Sequence, residues 1–314
     1  MTFSILALDP EAGQIGVGVQ SHYFGVGSLV PWAKPGVGVV ATQSVVRAAY
    51  GPELLARLAA GRVPAEALAE TVALDAGQAV RQVAVMAVDG RGATHTGAGC
   101  IQAAGHAEAP LVRAQANLVA GPRVWHAMVE AFDGTSGTLV ERMLAAMDAA
   151  QEAGGDLRGQ QAAALHVVST TDTGDLAADT VLDIRVDDDV DPLGELRRLA
   201  RSASALSGLV RMLEEPGLLI GPPNARADVV TRALDELAAA SDVLGETNVE
   251  PMVWSGLLLA RNGRTEEATA LLGRAAASLP TVPDLLRSLA AAGMWQSDPE
   301  ELVRLARPRG VTPG

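Results

Sequence analysis

A threonine at position 2 can do chemistry once it becomes the first residue of a chain. Removal of Met1, which a small second residue permits, would give one residue both a nucleophilic hydroxyl and a free α-amine. Such an amine titrates near ~7.7–8.0, so it can take the hydroxyl proton around neutrality while the oxygen attacks an acyl carbon. Residues 3–8 and 14–20 read as two short strands, and the Pro and Gly of Asp9-Pro10-Glu11-Ala12-Gly13 between them mark a turn. Pairing Asp9 with Gln14 makes a hairpin that sets Thr2 opposite Ser21, with His22 next to it. An amine, a hydroxyl and an imidazole at one strand end make an acyl-transfer site.

The rest of the chain must hold that hairpin. A strand is expected over 36–44, whose interior glycines weaken it unless something needs close approach to its backbone. The Pro-flanked stretch before it, with Lys34, reads as loop. Helices are expected over 52–60 and 64–75, each opening on Pro, then strands over 82–89 and 94–100 joined by Gly90-Arg91-Gly92. An irregular stretch runs to Gly121. Helices over 122–132 and 138–153, a glycine-bounded loop over 154–159, and strands over 162–169 and 181–187 complete this part. Blocks of strands and helices do not give the strict alternation of a parallel βαβ fold; they suit an α+β domain of antiparallel sheets between helix layers.

From Pro192 the chain turns helical, with an amphipathic segment over 193–213 and a break at Pro216 and Gly221-Pro222-Pro223. Helices follow over 225–240, 253–262 and 265–279. Trp254, Leu258, Gly263, Ala268, Ala275 and Pro280 are spaced like one tetratricopeptide-type helix pair. A single such pair cannot bury its own apolar face and must pack on a neighbour. The expected organisation is a domain over 1–200, a helical linker over 201–224 and a helical C-terminal domain over 225–314.

Composition narrows the function. With 48% apolar residues a sizeable core can form, and with 3% aromatics it must be built from small, closely packed side chains. A net charge of −13 argues against nucleic acid, which needs a surplus of Lys and Arg on one face. Cys100 is the single cysteine, so no intrachain disulfide or cysteine-rich metal site can form. The start lacks the charged and apolar regions of a secretory signal, and no stretch has the length of a membrane span. A cytoplasmic protein is expected.

The segments TFSILALDPEAGQIGVGVQSHYFGVGSLVPWAKPGVGVVATQS, QANLVAGP, AGGDLRGQQAAAL and DIRVDDDVDPLGELRRL closely resemble the bacterial family known as domain of unknown function 1028. The resemblance spans residues 2 to about 200. It implies a four-layer αββα sandwich of the N-terminal-nucleophile (Ntn) hydrolase type with a C-terminal all-helical extension. It further implies Thr2 as nucleophile, Ser21 and His22 at the hairpin end, and Asn117 as an amide donor to an oxyanion. Gln43, Asp156 and Arg158 are the matching candidates for substrate binding, although Asp156 and Arg158 can equally pair and brace their own loop. Lys34, the single lysine, invites comparison with the lysine that proteasome-type members keep near the amine, but its place ahead of the strand reads as surface.

The expectation is an amidohydrolase of a small amide or related acyl substrate, without cofactor and as a homo-oligomer. The competing reading is a non-catalytic protein of the same fold that binds or assembles through its C-terminal helices. Those helices are also similar to segments labelled peptidoglycan-binding, a role at odds with the missing signal. Other constellations carry less. His95, Cys100 and His106 match no common zinc spacing. Asp187-Asp188-Asp189 with Asp191 lacks the ligand alternation of a calcium loop. Gly36 and Gly38 complete no nucleotide fingerprint, and His126 and His166 lie in apolar runs.

Overall fold

β1 (Thr2–Asp9) and β2 (Gln14–Ser21) pair antiparallel with Asp9 opposite Gln14 and Phe3 opposite Gln20, the register expected from the turn. Both strands are buried almost end to end, because each packs on both faces, and so their sequences run apolar without clear alternation. The computed structural model describes residues 2–245 and 248–307, and the chain divides into two compact units between Ala200 and Arg201. Met1, whose removal is expected, lies outside the described residues, as does the end of the expected C-terminal domain.

The first unit is α+β with two antiparallel sheets. β3 (Pro31–Lys34), β4 (Gly38–Ser44), β5 (Arg81–Ala87) and β6 (Gly92–Thr96) form one sheet in that order. The other has the order β10-β9-β2-β1-β8-β7, with β7 (Gly105–Ala109), β8 (Val112–Asn117), β9 (Ala162–Ser169) and β10 (Thr180–Val186). The sheets face each other across a core of Leu6, Leu8, Ile15, Val17 and Val19 from one and Val39, Ala41, Ala84 and Met86 from the other. On its outer face the smaller sheet carries α1 (Tyr50–Ala59) and α2 (Pro64–Ala73), through Tyr50, Leu54 and Leu68 against Val40, Val83 and Val85. The larger sheet carries α3 (Arg123–Gly134) and α4 (Leu139–Glu152). Thr138 opens α4 with a capping box, its hydroxyl accepting from Glu141 N while the Glu141 carboxylate accepts from Thr138 N. α4 then brings Met143 and Met147 so near β2 that a Cβ at Gly16 would lie 2.7 Å from Met143 Sδ, and one at Gly18 would lie 2.8 Å from Met147 Sδ. Glycine is required where the helix presses on the sheet.

Three strands are missing from the sequence reading. β7 and β8 occupy the stretch expected to be irregular; β8 does alternate Val112, Ala114 and Ala116 with Arg113, Gln115 and Asn117, but the run is only six residues long and its apolar side is mostly alanine. β3 takes up the loop before β4, and Lys34 is its exposed last residue. The strand expected over 94–100 ends at Thr96, so Cys100 lies in a loop. A short helix α5 (Leu176–Asp179) precedes β10, and α6 (Pro192–Glu214) runs across the division between units.

At the middle of β9, His166 faces Asp183 of β10. Burial holds its imidazole below the usual range, with Asp183 pulling weakly the other way. The unfolded chain therefore binds this proton more readily than the native one, and His166 makes stability fall as pH drops through about 6.5. His166→Gln is expected to flatten the pH dependence of the melting temperature between about pH 5 and 7; an unchanged slope would assign that dependence to other groups.

The second unit is helical: α7 (Ala227–Leu244), α8 (Glu250–Arg261), α9 (Thr265–Ser278), α10 (Val282–Leu289) and α11 (Pro299–Leu305). α8 is its central helix, buried along its whole length, with Leu257 and Leu258 packed among Leu237, Leu272 and Leu286. The last two helices were not expected from the sequence, since they are only 8 and 7 residues long and the chain between them turns at Gly293. Arg261 closes α8 as a buried cation whose three nitrogens donate to Leu218 O (2.7 Å), Met294 O (2.5 Å) and Gly221 O (2.6 Å). Replacing it by Met strands three carbonyls. Arg261→Met is expected to destabilise this unit by roughly 2–3 kcal/mol in chemical denaturation. Among the described residues no helix is long and apolar enough to cross a membrane.

Candidate functional site

Strand direction brings the candidate residues to one end of the facing sheets. β1 begins at Thr2, while β2, β4 and β8 end at Ser21, Ser44 and Asn117. Thr2 is 6% exposed. Its Oγ1 lies 3.1 Å from Ser21 Oγ, as strand alternation requires of two residues on the core-facing side. On its other edge β1 pairs with β8, and Asn117 stands opposite Thr2.

The opposing sheet supplies amides. Gln43 Nε2 is 3.2 Å from Thr2 O, 2.8 Å from Gln82 Oε1 and 3.4 Å from Gln115 O, three acceptors for two hydrogens. Gln82 Oε1 also accepts from Asn117 Nδ2 (3.1 Å), so one buried oxygen ties together the two amides that flank Thr2. Gln82 Nε2 is held in turn by Ala116 O (2.9 Å), Gly105 O (3.1 Å) and Thr96 Oγ1 (3.1 Å). Gln115 Nε2 donates to Ala41 O (3.1 Å) and Ser4 Oγ (3.2 Å), bridging the sheets one residue pair further in. Gln43 Oε1 and Gln115 Oε1 are buried acceptors with no partner among the described residues.

Backbone strain marks the same place. Among the described residues the non-glycine residues with positive φ are Ser44 (71°) and Leu118 (52°). They directly follow Gln43 and Asn117. Such conformations cost of order 1–3 kcal/mol and persist where surrounding structure enforces them, often at functional sites.

His22 contributes differently from Ser21. Its backbone N donates to Asp156 Oδ2 (2.9 Å), and its Nδ1 lies 3.2 Å from Gln160 O. Asp156 is fully buried at its side chain and also accepts from Arg158 N (2.9 Å) and the Arg158 guanidinium (3.1 Å). The pair thus braces the loop over 154–161 against the end of β2, with Asp156 bridged to Val119 beyond β8. Behind Gln43 and Gln82, Arg81 Nε donates to Asp75 (2.8 Å) and its Nη1 to Val45 O (2.5 Å). The Arg81 guanidinium, with the Gly77 N–H, holds the Asp75 carboxyl down at about 2. Burial, reinforced by Asp75, pushes the Tyr50 phenol up to about 12.

Gln82 and Gln115 join the site without having been expected there from the sequence. Gln82 opens an apolar run on the parity of Ala84 and Met86, both core-facing, and an amide at such a position is a signal that could have exposed it. The set-aside groups have separate engagements: His95 with Gln78 O (3.0 Å), His106 with Thr96 Oγ1 (3.0 Å) and Cys100 with Arg81 O (3.2 Å). Among the described residues no three His, Cys, Asp or Glu side chains are grouped to hold a metal ion.

No curated protein matches the chain. A crystal structure of protein SPO2555 from Silicibacter pomeroyi, of family DUF1028, is similar at 32% identity and a TM-score of 0.59, over 65% of this chain and 89% of that one. The profile described as a family of unknown function, DUF1028, matches residues 2–196. Sharing that profile over most of its length, the chain belongs to the DUF1028 family.

Proposed function

We propose that the first unit is an N-terminal-nucleophile amidohydrolase acting on a small amide or related acyl substrate. The observation that carries this reading is the placement of Thr2 Oγ1 against Ser21 Oγ at the end of two central strands, ringed by buried amides and by the strained Ser44 and Leu118. The sequence of layers, helix pair, sheet, sheet, helix pair, supports the αββα reading. In this mechanism the α-amine of Thr2 takes the Oγ1 proton as the oxygen attacks the acyl carbon. The second hydrogen of Asn117 Nδ2, beyond the one given to Gln82, serves the oxyanion. The C–N bond breaks, the leaving amine takes the proton from the α-ammonium, and an ester on Thr2 remains. Water then attacks that ester, its proton passes through the α-amine to Oγ1, and the acid leaves. The chain's own groups suffice for these steps without a cofactor, and a cytoplasmic homo-oligomer is the state in which we expect them.

Intact mass of the purified protein tests the premise. Loss of one methionine is expected; full retention would leave the amine acylated and sink the mechanism. A second reading, a non-catalytic binding module, draws on a cleft of about 550 Å³ in the helical unit, lined by Leu234, Met252, Leu259, Arg264 and Arg274. Removal of Met1 would be irrelevant to that role.

A further inference from the structure

The three phenylalanines and two tyrosines of this chain divide sharply by environment. Phe3, Phe132 and Tyr50 are fully buried, whereas Tyr23 and Phe24 are 53% and 66% exposed, side by side in the loop that leaves β2. They stand two and three residues beyond Ser21, hence within about 8–11 Å of it along the chain. On the other side of Thr2, Leu118 follows Asn117, donates its N–H to Ile101 O (2.9 Å) and accepts from Leu157 N (3.5 Å). Ile101 is 55% and Leu157 61% exposed. Apolar residues thus follow both strands that flank the candidate nucleophile, in a chain whose other phenylalanines and tyrosine are buried; exposed apolar side chains gathered beside a candidate site mark a binding surface.

The charges nearby do not call for an ionic ligand. Arg158 holds Asp156, Arg81 holds Asp75, and Arg47 holds Glu53 at 2.7 Å. Val186 pairs with Ala163, which pairs with Gln20, so Asp187 and Asp188 follow at this same end of the sheet, where Arg185 holds Asp187 (3.2 Å) and Gln161 Nε2 donates to Asp188 (3.0 Å).

We infer that the Thr2 site takes amides whose acyl group is uncharged and apolar, an alkyl or arylalkyl chain lying between Tyr23-Phe24 and the row Ile101, Leu118, Leu157. This rests on Thr2 as nucleophile and adds the substrate class. One water is consumed: the acyl–nitrogen bond breaks, the water oxygen ends on the acyl carbon, and a carboxylic acid and an amine leave.

The test uses full-length protein and a series of 4-nitroanilides bearing acetyl, butyryl, hexanoyl, phenylacetyl, succinyl and glycyl groups. kcat/KM is expected to rise roughly 10–100-fold from acetyl to hexanoyl, with the charged acyl groups below acetyl. Phe24→Ser and Leu157→Ser, at exposed positions, should each reduce the hexanoyl-to-acetyl ratio about tenfold, while Val63→Ser should leave it unchanged. A flat series, or preference for succinyl or glycyl, overturns the inference. If no anilide turns over, calorimetry on Thr2→Ala with hexanamide and acetamide decides: tighter hexanamide binding upholds the apolar site while the hydrolase reading fails, and equal binding overturns it. Conversion of an oligomer to monomer by Phe24→Ser would make the rim an interface between copies and also overturn it.

Discussion

Thr2→Ala is expected to lower amide turnover by roughly 10⁴-fold or more while moving the melting temperature by no more than a few degrees. The two halves of this expectation come from different parts of the structure. Without Oγ1 no ester can form, and the amides around the site have no oxygen to position. For the fold, the change removes one hydroxyl contact with Ser21 at the start of a strand whose backbone pairing is untouched, a loss of about 1 kcal/mol. Thr2→Ser keeps both hydroxyl and amine and should retain measurable turnover. Activity surviving Thr2→Ala would move the nucleophile elsewhere, and Ser21 is the hydroxyl next in place.

The hairpin was legible in the sequence because its information is local. A Pro- and Gly-bearing turn sets the register, and the register carries Ser21 to Thr2 without any knowledge of the rest of the fold. β8 was not, because its alternation is short and rests on two alanines, and burial of Arg113, Gln115 and Asn117 between the sheets depends on partners far away in the chain. Those same residues make it part of the site. Gln82 was hidden for a related reason: its partners lie on two sheets and at long separations in the chain, and no local rule joins Gln43, Gln82 and Asn117. His22 shows the limit of neighbourhood in sequence. It adjoins Ser21, yet its ring meets Gln160 O and its backbone serves Asp156.

Gln82→Leu is the second large effect, expected to cost about 3–5 kcal/mol of stability and to lower kcat by roughly 10²–10³-fold. Leu offers no acceptor to Gln43 Nε2 and Asn117 Nδ2 and no donor to Ala116 O, Gly105 O and Thr96 Oγ1, of which the two amides and Ala116 O are buried. Because Gln82 acts through the two amides, KM should stay within about twofold while kcat falls, a split that general destabilisation does not produce. Gln82→Glu separates the two functions of the side chain. A carboxylate still accepts from Gln43 and Asn117 but meets the two carbonyls with no hydrogen to give, so the native state favours the protonated acid and raises its pKa above the unfolded value of about 4.3. Its stability contribution is then present at low pH and lost as pH rises through the raised value. The variant should be more stable near pH 5 than near pH 8, opposite to the trend that His166 sets in the native protein. A folded Gln82→Leu protein with undiminished kcat would show that the amide cluster braces the sheets without positioning Thr2 and Asn117.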